Sequence, residues 1–577
     1  MPEHKRRSFL GIGSSLVLAS VGGGKWINKI SNAQAYQSTG LTQIGQYKSG
    51  FFDEGGAEIP AYDPKHKRLF MVNAGAGTVD VLNIANPTQP KKIDDIDGSD
   101  AFDNAGDTNN VSVYGSTLAV AIANQNEQEN GRIAFYDTAS RNLRGTVEVG
   151  ALPDMVTFTP DGNYVLAANE GEPTTDYSTD PKGSVSIIDV SEGIENPTVA
   201  TAGFESFEAA KLREEGVCIT GPQSDAAQDL EPEYIAVSPD STTAYVSLQE
   251  NNAVAVVDIP SATIDEVVPL GYKDHSKAGN ELDAVDNSEI SIENQPLYGM
   301  YQPDTLSAID INDETYLVTA NEGDAREYDG LFEVGILTDT STEGEDADFK
   351  LVIDDDGQSV TEDVDIDESA FADGKLKELE GLEATALRGD TDEDGAIEEL
   401  HIFGGRSFAI WQTDGSEVEL VYESGDELEQ IVANEIADAL FNTDDNEIEL
   451  DAESAASGPE PEGIAVGYVD GVALAFIGLE EVGGVVMFDI SDPTDPKHLE
   501  YVNNRISDLT KIGLDSDTDL DDALEEGLIE PDEAGDLAPE GLVFIAAEDA
   551  PKKKPLLVVG NEVSGTTTIY EVTVDTQ

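Results

Sequence analysis

Past residue 35, short apolar runs alternate with clusters of Gly, Pro, Asn and Asp, and no long window keeps a 3.6-residue apolar period. Runs of this length, rich in Val, Ile, Tyr and Phe, predict β-strands. They recur as one unit: an acidic or Pro-acidic start, an apolar strand, a turn, a second apolar strand ending on a polar pair, and a third strand closing on Asp-Ile or Asp-Val. The fullest copies span 152–191, 230–260 and 458–493; weaker ones span 59–84, 111–140 and 538–572. Another begins at 302–323 and resumes, after an acidic insertion, at 400–425.

Units of three strands with a fourth on the outside are the blades of a β-propeller. The expected fold is therefore all-β: a single propeller of seven blades if 302–425 is one interrupted blade, or eight if ATALRGD (384–390) opens its own. The early strand LTQIGQY (41–47) can complete the last blade and so remove the exposed sheet edges of an open ring. Acidic insertions near 192–229, 271–300, 331–380, 426–457 and 505–536 are expected as rim loops, with a helical patch at 433–442.

Charge changes the picture most. Of 577 residues, 118 are Asp or Glu against 31 Lys or Arg, a formal net of −87. Nucleic acid and anionic membranes would be repelled. Two compatible causes remain, a solvated acidic coat suited to high salt and the binding of divalent cations, which favour carboxylate oxygens. With Cys218 as the sole cysteine, no internal disulfide forms, and the five histidines are scattered without zinc-ligand spacing.

The N-terminus MPEHKRRSFLGIGSSLVLAS places Arg6-Arg7 before a mildly apolar segment and reaches Ala33-Gln34-Ala35. This has the form of a twin-arginine export signal over 1–35, leaving 36–577 as the propeller. Its removal takes away five basic residues and one acid, moving the net charge to −91. No later stretch is apolar enough to span a bilayer. The expected product is a monomer, periplasmic or extracellular.

In an antiparallel blade the start of strand one and the end of strand two lie on the same face of the disc. Acids mark the starts (Asp154, Glu233, Asp304, Glu462, Glu540), and polar pairs mark the ends. These pairs are Asn169-Glu170, Asn321-Glu322, Glu480-Glu481 and Asn561-Glu562, with Gln249-Glu250 as a variant. Asn and Gly suit turns, whereas Glu is no turn former. Ring closure is expected to bring these oxygens to one channel mouth, where a cation would relieve their repulsion, and calcium is the natural candidate. A second calcium candidate is GDTDEDGAIEEL: Asp390, Asp392 and Asp394 alternate before Gly395, with Glu398 and Glu399 close by. His401 stands where a helix–loop–helix hand has its bidentate glutamate, so a strand-to-strand loop fits better. Arg326, Arg406 and Arg505 are each expected either to bind an anion or to serve as a charge partner for nearby acids. Nucleophile-elbow, phosphate-loop and dinucleotide motifs are missing from the sequence.

ANEGEPTTDY, ANEGDAREY, GDTDEDG…ELHIFGGRSFAIW, GPEPEGIAVG…AFIGLEEVGGVVMFDISDP and DLAPEGLVFIAAEDAP…LLVVGNEVSGTTTIYEV resemble the choice-of-anchor I family, related to mesenchyme-specific cell-surface glycoproteins. The resemblance implies an exported or surface propeller without an agreed activity, while some relatives carry an alkaline-phosphatase name. Two functions are therefore expected: a calcium-binding propeller that holds a small-molecule or surface ligand or scaffolds a surface, or, alternatively, a calcium-dependent phosphoesterase with its metals at the channel mouth.

Overall fold

The middle strands of the blades carry the longest apolar runs because both their faces are covered by neighbouring blades. Tyr164–Asn169 and Val472–Leu479 are almost entirely buried, whereas the outermost strands, such as Thr198–Gly203, face solvent. In the computed structural model, residues 39–574 are described except 223, 329–330, 342–346, 354–362, 416, 513, 515–519, 526 and 530–532. The expected signal segment 1–35 lies outside the described residues.

Seven four-stranded antiparallel sheets form the ring. Their innermost strands are Pro60–Asp63, Ala105–Tyr114, Pro153–Phe158, Ile235–Val237, Leu306–Ile311, Pro461–Val469 and Pro539–Ile545. Each touches the next in that order, and the last touches the first, so the fold is a closed seven-bladed propeller. Blades are numbered here from the sheet that begins at Pro60. The core is divided accordingly: every interface between adjacent blades has its own apolar cluster, for example Leu166, Val185, Val246 and Ala255 between blades 3 and 4. Closure is made by the N-terminal strand Gly40–Lys48, which pairs antiparallel with Thr566–Thr573 on the outside of blade 7, Leu41 opposite Val572.

Blade 5 is the interrupted one. Glu314–Asn321 pairs directly with Ser407–Thr413, so the intervening chain loops out and returns. The ATALRGD segment starts no blade; Glu383–Thr385 is an edge strand of a separate five-stranded sheet in the insertion. That module has its own core of Leu337, Leu351, Leu379, Leu382 and Leu400. The helix near 433 begins earlier than its sequence suggests, at Glu427–Glu435. Leu428, Ile431 and Val432, spaced for one helical face, pack onto the cluster between blades 5 and 6.

Candidate metal centre

One local device recurs at the channel mouth. Leu152, Gln302, Glu460 and Ala538 each precede a proline and adopt left-handed backbone, with φ of 44°, 39°, 51° and 52°. Proline disfavours helical backbone before it, and a side chain makes φ > 0 costly, so neighbouring bonds must hold these turns. The carbonyls of Leu152, Glu460 and Ala538 accept from the peptide N–H of Glu170 (2.9 Å), Glu480 (2.7 Å) and Glu562 (2.7 Å). In blade 5 the Gln302 carbonyl accepts from Gly323 (3.1 Å). The inner strands then slip register between Pro153 and Val156, Pro461 and Ile464, and Pro539 and Leu542. Asp154, Glu462 and Glu540 sit inside these bulges, where a side chain is freed from the regular in–out alternation. Each turn thus clips the end of strand two to the start of strand one and places their acids side by side.

The Asn-Glu pair divides into two jobs. The Asn169 amide accepts from the Gly150 N–H at 2.9 Å and donates to the Ser184 carbonyl and the Ser186 hydroxyl, both at 3.0 Å. Asn321 donates to the Ser407 hydroxyl, and Asn561 to the backbone and side chain of Thr566. All three amides are buried and tie strand two to strand three, so as expected channel-mouth donors they are corrected to structural clips. The glutamates that follow, Glu170, Glu322 and Glu562, instead meet acids of neighbouring blades.

There the carboxylates gather in sets across blade interfaces, each set with oxygens within 4.8 Å of one another. Glu170 with Glu233 and Glu250 spans blades 3 and 4. Asp304 with Glu322 and Glu462 spans blades 5 and 6, as does Glu322 with Glu460 and Glu480. Glu58 with Glu540 and Glu562 spans blades 7 and 1. Burial, then the neighbouring carboxylates, pushes Glu170, Glu233, Glu322 and Glu462 far above the usual carboxylate range. The charges acting on Glu233 come from blades 3, 4 and 5, and those on Glu462 from blades 5, 6 and 7. Tyr234 is raised first by burial and then by Asp304, Asp154 and Glu540, so acids of three blades converge on one tyrosine.

One oxygen each of Glu233, Glu250 and Glu462 is buried without a hydrogen-bond partner, in side chains at most 7% exposed. A carboxylate oxygen withdrawn from water and left unbonded is costly unless a proton or a cation sits on it. The donors are all oxygen and closely spaced. Ligand oxygens on one calcium lie no more than about 4.8 Å apart, twice a bond of about 2.4 Å, so oxygens within that distance of one another can share one ion.

The arginines take the partner role. Arg326 donates to Glu231 from Nε (2.9 Å) and Nη2 (2.5 Å), to Thr220 and to the Asp229 carbonyl. Arg406 donates to Glu429 and to the carbonyls of Asp283, Ser454 and Ala456. Arg505 donates to the carbonyls of Glu481, Asp444 and Glu447. With both guanidinia buried and turned inward, the expected anion-binding role of Arg326 and Arg406 is corrected to one of structural ion pairs.

In the second candidate, Asp390, Asp392, Asp394 and Glu398 come together in an exposed loop of the inserted module. Glu399 is not in that set: its carboxylate points to His401 Nε2, 3.7 Å away. Asp390 accepts from the N–H groups of Asp394 and Gly395, and Glu398 accepts from Thr391, so the loop is partly held by its own acids.

Glu58, Glu172, Glu231, Glu460 and Tyr328 belong to the same surroundings but were not singled out by sequence. Tyr328, from the insertion, donates to Glu172 at 3.1 Å. The glutamates before Pro232 and Pro461 were visible as the first letter of Glu-Pro-Glu in two repeats. Glu58 and Tyr328 carry no such signal.

The sequence profile of the choice-of-anchor I domain matches residues 58–493. Among curated proteins the chain is similar to Gigasin-3a of Magallana gigas, 26% identical over 186 residues, 31% of this chain and 60% of that protein. It is also similar to the mesenchyme-specific cell surface glycoprotein of Strongylocentrotus purpuratus, 26% identical over 288 residues, 46% of this chain and 35% of that protein. The matches thus span less than two thirds of either relative. Among solved structures it overlaps the WD40 domain of Toxoplasma gondii coronin (TM-score 0.44, 8% identity, 95% of this chain and 89% of that one). It also overlaps the hydrazine synthase of Kuenenia stuttgartiensis (TM-score 0.41, 14% identity, 91% and 97%). Among the described residues no helix is long and apolar enough to cross a membrane. On the profile match, which takes in blades 1 to 5, the interrupted one included, and the first three strands of blade 6, the chain belongs to the choice-of-anchor I domain family.

Proposed function

We propose that this protein is an exported or surface-held propeller whose acidic channel mouth binds divalent cations, calcium foremost, and through them holds a ligand or organises a surface. The observation that carries the reading is the set of buried carboxylate oxygens left without a hydrogen bond in Glu233, Glu250 and Glu462, each inside a cluster of like charges. Water would satisfy such oxygens one at a time, but only a cation or protons relieve the repulsion among them. The exposed loop at Asp390–Glu398 adds a further candidate calcium position. Cell-surface placement is supported by the family and by the name of the sea-urchin relative. Export by the twin-arginine route rests on Arg6-Arg7 and the Ala33-Gln34-Ala35 pattern.

The phosphoesterase alternative needs a cation to hold phosphate beside the metals. Arg326 and Arg505 are buried and direct their Nη groups to protein oxygens, so binding is the favoured reading. The test is calcium titration of the purified protein, with metal analysis and a phosphoester assay in parallel. Calcium should bind at submillimolar concentration, and Glu233→Gln and Glu462→Gln should each lower the stoichiometry. A wild-type protein that takes up no calcium would refute the reading, and phosphoester turnover abolished by Glu462→Gln would favour the enzyme.

A further inference from the structure

The cation sets are not equivalent. Glu322 alone belongs to two of the sets described above: one with Asp304 and Glu462, the other with Glu460 and Glu480. We propose that the interface of blades 5 and 6 holds a paired centre, two divalent cations side by side with the Glu322 carboxylate shared between them. The inference deepens the cation-binding reading above and rests on it.

Three features support a pair rather than one ion in a diffuse acid patch. The first is the donor supply: each set offers three carboxylates, and removing the shared one leaves both a ligand short. The second is preparation of the bridge, because Gln249 of blade 4 donates its amide to Glu322 Oε2 at 3.1 Å and fixes the rotamer. A carboxylate so held still has its other oxygen and the remaining lone pair of Oε2 for two metals. The third is an orphan. Glu462 is 2% exposed and its Oε2 has no hydrogen-bond partner, although the residue shares a set with Asp304 and Glu322. After burial, the influences acting most strongly on Glu462 are the carboxylates of Glu480, Glu322, Glu540 and Asp304, drawn from both halves of the pair and the next blade. Five acids packed together carry more negative charge than one divalent ion neutralises, and two ions match it more closely.

The experiment is calcium stoichiometry by equilibrium dialysis on the folded full chain at neutral pH, with circular dichroism as the folding control. Glu322→Gln should lose two calcium ions, Asp304→Asn and Glu460→Gln one each, and Glu233→Gln one from the separate site between blades 3 and 4. A loss of one ion in Glu322→Gln, or of the same ion in Asp304→Asn and Glu460→Gln, would overturn the pair and leave the cation-binding reading standing. No calcium uptake at all would end both. Should Glu322→Gln fail to fold, manganese loading gives an independent readout. The wild type should show an exchange-coupled paramagnetic spectrum, reverting to the uncoupled six-line form in Glu460→Gln; an uncoupled spectrum in fully loaded wild type refutes the shared bridge.

Discussion

Stripping calcium should make the protein less stable as pH rises from 6 to 8, the opposite of a protein held together by surface ion pairs. Two groups set the scale. Glu172, beside Glu170 and Glu250, is pushed from its ordinary value near 4.5 to about 7, first by burial and then by Glu250. Glu453, beside Glu460 and Glu481, is pushed to about 8, first by burial and then by Asp444. A carboxyl whose folded value is raised holds its proton more tightly in the native state than in the unfolded one. Its stability is therefore greatest below 4.5 and falls as pH climbs through the gap, to about 7 for Glu172 and about 8 for Glu453. Between pH 6 and 8, Glu172 covers about one unit of its gap and Glu453 about two. At about 1.4 kcal/mol per unit this amounts to roughly 4 kcal/mol. With an unfolding entropy of about 2.1 cal/mol/K per residue, the roughly 510 described residues give about 1.1 kcal/mol/K, so Tm should fall by about 4 °C.

The assay is scanning calorimetry in EGTA at pH 6 and 8, repeated with saturating calcium. Calcium replaces the protons as the relief of repulsion, so it should raise Tm most at pH 8 and flatten the pH slope; at a hundredfold excess over Kd each site adds about 2.7 kcal/mol. Glu172→Gln and Glu453→Gln should each flatten the apo slope without calcium. An apo Tm at pH 8 equal to or above that at pH 6 would refute the reasoning, because the mouth acids would then be no more crowded in the folded chain than in the unfolded one.

Other expectations separate residues that stand side by side. Asn169→Ala should cost about 2–3 kcal/mol in urea unfolding, since buried donors and acceptors lose their partners, and leave calcium stoichiometry unchanged. Glu170→Gln should do the reverse, lowering calcium uptake while raising apo Tm at pH 8. Arg326→Met should destabilise by about 3–5 kcal/mol, because the buried carboxylates of Glu231 and Asp229 would lose the guanidinium paired with them. A chain that starts at residue 49 lacks the outer strand of blade 7 and should associate with increasing concentration in light scattering, its Thr566–Thr573 edge now open. Asp392→Asn in the exposed loop should remove one weakly held calcium with no change in apo Tm.

The ring was legible because each blade repeats the same order of apolar runs and turns, and closure narrowed the pattern to seven blades or eight. Blade 5 was legible as one of two readings, since Leu317–Asn321 and Ser407–Trp411 remain strand-like on either side of the interruption, and their direct pairing decides for a single blade. The inserted module was not. Its sheet mixes parallel and antiparallel neighbours from distant segments, such as Val364–Ile366 beside Ala396–Ile397, and no local period marks such pairs. Arg326 and Arg406 could be read two ways from sequence, because a lone cation among acids looks the same whether it faces a ligand or the core. Burial decides between these, and burial depends on the whole fold.

The polar pair at the strand ends shows how one local sequence serves two levels at once. Strand two has to stop at the channel mouth and remain tied to strand three. A short amide does this because its donors and acceptor are all satisfied within the blade, as in Asn169 with Gly150, Ser184 and Ser186. After Asn169 and Asn561 the next residue turns out of the sheet, its N–H held by the carbonyl of the strained residue before proline. With the backbone pinned there, the Glu562 carboxylate comes beside Glu540 of the bulged first strand, and that of Glu170 beside Glu233 of the next blade. Asn without Glu would give the same turn and an uncharged mouth, and Glu without Asn would leave a frayed strand end and a poorly placed carboxylate. Because each such turn lies where two blades meet, a cation gathered by these carboxylates would bind one blade to the next, and its loss should loosen the ring at the same interfaces where the acids repel.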